Sequence, residues 1–77
     1  MLTQNIIFLF EKEKEKTHNS IAKICEKIGI TKQNYNRYKN GSEPTATIFY
    51  KIAKYFNIPM EQIIITNLKE QENNNEK

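Results

Sequence analysis

The 77 residues contain one cysteine, Cys25, so no disulfide can form within the chain. The single histidine, His18, lies in the polar run T-H-N-S with no second histidine or cysteine at ligand spacing, which argues against a metal site. No apolar run approaches the roughly 18 residues that a membrane span needs. Strand-like alternation is absent apart from IIIT at 63–66, which would suit a short edge strand. The apolar start, MLTQNIIFLF, has no basic flank and no small-residue cleavage site, and it runs straight into EKEKEK. The expectation is a cytoplasmic protein with no secretory signal and no membrane contact. Catalytic constellations are missing as well. Cys25 falls on an apolar stripe, and the carboxylates lie in charge runs or near helix starts, so neither an enzyme nor a cofactor is expected.

Charge is unevenly divided. Residues 20–58 carry Lys23, Lys27, Lys32, Arg37, Lys39, Lys51 and Lys54 against Glu26 and Glu43, a net +5. The segment before them is neutral and the segment after them is −2, giving +3 overall. A basic centre suits a polyanionic partner. EKEKEK at 11–16 reads as the solvated end of a first helix, and 69–77 reads as a disordered polar tail following a domain at 1–68.

Helical periodicity organises the rest. Ile6, Ile7, Leu9 and Phe10 make the stripe of a first helix. Ser20 can cap a second, whose apolar positions Ile21, Ile24, Cys25 and Ile28 precede Gly29. Thr31 can cap a third, which runs to Asn40 before Gly41. Pro44 and Thr45 open a fourth with Ile48, Phe49, Ile52, Ala53 and Phe56 on one face, and Pro59 opens a fifth through Met60, Ile63 and Ile64. Five short helices with tight connections give an all-α fold.

The third helix, within TKQNYNRYKNG, is the informative one. Gln33, Asn36, Arg37 and Asn40 share a polar face opposite Tyr35 and Tyr38, with Lys32 at its start. Arginine or lysine toward guanine, and glutamine or asparagine toward adenine, are the side chains that read base edges. No acidic residue lies between Thr31 and Ser42. A helix that was merely solvated would more usually carry glutamates, and a carboxylate here would repel phosphate.

A helix ending at Ile28, a Gly29 turn and a helix from Thr31 or Lys32 form a helix-turn-helix layout, with the unit at about 20–40. The run IAKICEKIGITKQNYNRYKNGSEPTATIFYKIAKYFNIPMEQII resembles the lambda-repressor-like, or Xre-type, helix-turn-helix domain of bacterial and phage regulators. The likeness covers about 20–65 and rests on the turn glycine, the N-G after the third helix, the G-S-E-P loop and the KIAKYFNIP passage. It implies a compact five-helix domain in which helices 2 and 3 read double-stranded DNA, usually as a two-fold dimer. By position it implies base contacts from Lys32, Gln33 and Arg37, with Asn34 and Asn36 beside them. Asn40 corresponds to a phosphate contact, and Ser42 and Thr45 lie in a loop near the backbone. Ser20 and Lys39 complete the expected backbone contacts. Tyr35 and Tyr38 correspond to apolar anchors, and Cys25 to a small core residue under the turn. Two features depart from the family pattern. Ile21 stands where a phosphate-binding glutamine is common, and EKEKEKTHNS makes a longer connection than usual.

The resulting expectation is a sequence-specific DNA-binding transcriptional regulator, a dimeric repressor or autoregulator on a palindromic operator. Seventy-seven residues leave no room for a ligand-sensing domain, so control is expected from concentration, a partner or proteolysis. The apolar content of the fifth helix exceeds what one small core hides, which places a homodimer contact at Ile63, Ile65 and Leu68. The same excess supports an alternative, an antitoxin-like or partner-binding protein-interaction module that keeps the fold.

Overall fold

The computed structural model describes residues 2–65, and within them the chain is entirely helical. The helices are α1 (Leu2–Thr17), α2 (Ile21–Ile28), α3 (Lys32–Lys39), α4 (Ala46–Phe56) and α5 (Met60–Ile65). The expected tail at 69–77, and Leu68 with it, lie outside the described residues. IIIT is not a strand where it is described, since residues 63–65 form the last turns of α5. A strand there would need a partner edge, and no described residue is extended in a sheet.

Three helices begin in the same way. Ser20 Oγ accepts the Lys23 amide at 3.1 Å, Thr31 Oγ1 the Asn34 amide at 3.0 Å, and Thr45 Oγ1 the Ile48 amide at 3.4 Å. Each hydroxyl satisfies an amide that has no partner inside its helix. The ends are equally local. Gly29 adopts φ +94°, and both its amide and that of Ile30 return to the Cys25 carbonyl. At the end of α3 the Ser42 amide returns to the Arg37 carbonyl across Gly41, at φ +97°.

Among the described residues, two that are not glycine also take the left-handed conformation. Asn57 closes α4, and His18, at φ 62°, follows the last residue of α1 with its amide on the Lys14 carbonyl. EKEKEK is thus absorbed into α1, and the long connection reduces to His18, Asn19 and Ser20. Lys12 and Glu15 approach at 4.0 Å across one turn of that helix.

The core forms where α1 crosses α2, α3 and α5. Ile6, Phe10, Ile24, Ile52 and Ile63 are fully enclosed, and Tyr35 and Tyr38 are buried against them. Phe10 is central, its ring 4.9 Å from Tyr35 and 5.8 Å from Phe56. Enclosing a side chain of this size stabilises the fold by about 1.5–3 kcal/mol.

One position departs from expectation. Ile63, expected at a dimer contact, has a side chain that is 0% exposed and belongs to the core of its own chain. It therefore presents no surface to a second copy. The reason is helical phase: on a helix lying on α1 only part of an isoleucine run can face inward, so Ile63 points in while its neighbour Ile64 is 47% exposed. The Ile65 side chain is outside what the structure describes.

Candidate nucleic-acid interface

Helix α3 is amphipathic in an unusual sense, since its buried side consists of two tyrosines. Tyr35 and Tyr38 are 3% and 4% exposed, and burial pushes both phenols above their ordinary pKa. They remain neutral and hold the helix onto Phe10 and α1. Lys32, Gln33, Asn36, Arg37 and Lys39 are consequently exposed, and so is Asn40, the cap residue that closes α3 with its amide on the Asn36 and Arg37 carbonyls. Asn34 is half-buried, its amide committed to the Thr31 cap.

The other expected backbone contacts lie at helix starts or in a loop. Ser20, Ser42 and Thr45 are all exposed. In capping, Ser20 and Thr45 use a hydroxyl oxygen as acceptor, which leaves the hydroxyl proton available to a further acceptor. Ile21, in the place of the expected glutamine, is half-buried against the core and offers no donor from its side chain.

Electrostatics favour an anion around these elements. No acidic residue occupies the first turn of α2, α3 or α4, where a carboxylate would otherwise neutralise the positive end of the helix dipole. Among the described residues Lys23 pairs with Glu26 at 3.5 Å, whereas no carboxylate pairs with Lys32, Arg37, Lys39, Lys51 or Lys54.

Cys25 is buried beneath the turn. Burial pushes its thiol pKa up and the nearby Lys32 charge pulls only partly against that, so it is a packed thiol with little nucleophilic character. No group of histidine, cysteine, aspartate and glutamate side chains able to hold a metal ion occurs among the described residues. Likewise, no helix among them is long and apolar enough to cross a membrane.

Three features escaped the sequence pattern. Asn5, 2% exposed, donates from Nδ2 to the Ile63 carbonyl and ties α1 to α5. Glu13 is more than a solvated charge, because its Oε2 accepts a 2.7 Å hydrogen bond from the Tyr55 hydroxyl and ties α1 to α4. Lys51 brings its ammonium to the α2–α3 turn, where a β-carbon added to Gly29 would lie 3.9 Å from Nζ. The helical spacing of Thr47, Tyr50, Lys51 and Lys54 was a signal available for the last of these.

Comparison with known proteins agrees with this architecture. A helix-turn-helix family model matches residues 11–63, well over half of the chain. No curated protein and no solved structure matches it significantly. With capped helices on either side of a glycine turn, a tyrosine-anchored second helix and that match, the chain belongs to the lambda-repressor-like, Xre-type helix-turn-helix family of DNA-binding regulators.

Proposed function

We propose that the protein is a sequence-specific repressor or autoregulator that inserts α3 into the major groove of a palindromic operator as a homodimer. The observation that carries this reading is the exposed face of α3, polar and free of carboxylates above two buried tyrosines. Lys32, Gln33, Asn36 and Arg37 read base edges, with Arg37 pairing with guanine through both of its terminal nitrogens. Ser20, Asn34, Lys39, Asn40, Ser42 and Thr45 position the domain on phosphates, and the amides at the capped helix starts add to them.

Ile64 supports a dimer. It is one of two large apolar side chains left exposed among the described residues, and a two-fold contact through the outer face of α5 covers it twice. Ile65 and Leu68 continue that proposed contact. A two-fold dimer carries two reading helices, which is why the operator should be a palindrome with half-sites about 34–36 Å apart.

Selection of bound sequences from a random duplex pool, followed by titration of Arg37→Ala and Asn40→Ala on single-base variants, tests the reading. Arg37→Ala should lose about 1–3 kcal/mol per half-site and relax preference at one base pair, while Asn40→Ala weakens all sequences alike. If no sequence is enriched, or if both folded variants bind as the wild type does, α3 does not read DNA. A protein-interaction module would account for exposed Ile64, but it gives no reason for excluding carboxylates from α3. That alternative becomes the better one if enrichment fails while the chain still assembles.

A further inference from the structure

We infer that the outer face of α4 is a second phosphate-contacting surface, formed by Thr47, Tyr50, Lys51 and Lys54, which grips the DNA backbone beside the groove that α3 enters. This rests on the DNA-binding reading above and extends it to a helix with no expected contact beyond its cap. The four residues recur at i, i+3, i+4 and i+7, the spacing of a single helical face, and all four are exposed. The opposite side of α4, carrying Phe49, Ile52 and Ala53, is spent on the core. Tyr50 is 55% exposed, the most open large apolar side chain among the described residues.

Three observations point to phosphate. Thr, Tyr and Lys are donor side chains that contact backbone oxygens, so every member of the face can donate a hydrogen bond to phosphate. No carboxylate occurs between Glu43 and Glu61, and neither lysine pairs with one among the described residues. The face also adjoins the turn that leads into α3. Lys51 Nζ reaches the Gly29 turn, two residues before the Thr31 cap of α3.

From Thr47 to Lys54 the face is about 10 Å long, enough to follow a few consecutive phosphates on one strand. A protein partner fits less well, because lysine is depleted at protein interfaces. Lys51 has a structural use too, since an ammonium at the end of α2 complements the negative end of that helix dipole. The test must therefore include a variant that keeps it.

Titration of the selected duplex at several salt concentrations, with phosphate-ethylation interference on the same duplex, tests the inference for Lys51→Gln/Lys54→Gln and for Tyr50→Ala/Lys54→Gln. In the first variant the salt slope should fall in magnitude by about 2 per protomer, since each neutralised phosphate contributes about 0.9. In the second, which retains Lys51, it should fall by about 1. Both should lose interference at phosphates flanking the wild-type half-site while keeping the ranking of operator variants. Wild-type slope and interference in both, with base discrimination still lost in Arg37→Ala, would overturn the α4 face alone and leave the α3 reading intact. Failure of the wild-type chain to bind any duplex would overturn both.

Discussion

Replacing Asn5 by alanine should destabilise the domain far more than its place in an apolar helix stretch suggests. Its side chain is 2% exposed and its Nδ2 donates to the Ile63 carbonyl, in the last turns of α5. The substitution removes the donor of a buried bond that ties α1 to α5. Leaving a buried carbonyl unsatisfied costs about 1–3 kcal/mol. A domain of this length holds about 4–12 kcal/mol in total, so the loss is a substantial fraction. At about 4–8 °C per kcal/mol, the melting temperature should drop by about 5–20 °C. Thermal and urea unfolding of the wild type, Asn5→Ala and Asn5→Leu separates hydrogen bonding from volume. Leucine refills the space but cannot donate, so it should be no better than alanine. Amide exchange should show the loss first in α5, which the bond holds to α1. An Asn5→Leu protein as stable as the wild type would show that the bond contributes nothing net and would refute the reasoning.

Other substitutions probe different links. Gly29→Ala should cost about 1–2 kcal/mol in urea unfolding, because φ is +94° while the new β-carbon meets Lys51 only at an ordinary 3.9 Å. A neutral result would mean that the turn relaxes without strain. The Tyr55 phenol is held above its ordinary pKa of 10.0 by its bond to Glu13, and Tyr35 and Tyr38 are raised mainly by burial. The folded chain therefore holds these protons more tightly than the unfolded one. This stabilisation is complete below about pH 10 and is lost as pH rises through the folded values. Tyr55→Phe should be about 1 kcal/mol less stable at pH 7 and show a shallower alkaline decline, and a decline identical to that of the wild type would exclude Tyr55 as a contributor. Ile64→Glu should fold normally but shift sedimentation toward monomer and weaken operator binding. Unchanged assembly and affinity would move the dimer contact elsewhere.

The five described helices and the exposed polar face of α3 were legible in the chain because their signals are local. Ser20, Thr31 and Thr45 each cap an amide three residues ahead, and Gly29 and Gly41 close helices through conformations that glycine adopts most readily. The tyrosine side and the polar side of α3 follow from a 3.6-residue period alone. Local period does not decide whether Ile63 or Ile64 turns inward, so Ile63 lies in the core and not at the surface expected of it. That choice depends on how α5 is rolled against α1, which the Asn5 bond to the Ile63 carbonyl pins. His18 ends α1 at φ 62° although no glycine marks the spot, and Glu13 looked like one more solvated charge until α4 placed Tyr55 against it. The two side-chain bonds that tie α1 to α5 and α4 join residues 58 and 42 positions apart. Capping and periodicity act over about four residues, so only packing of the whole chain could bring those partners together.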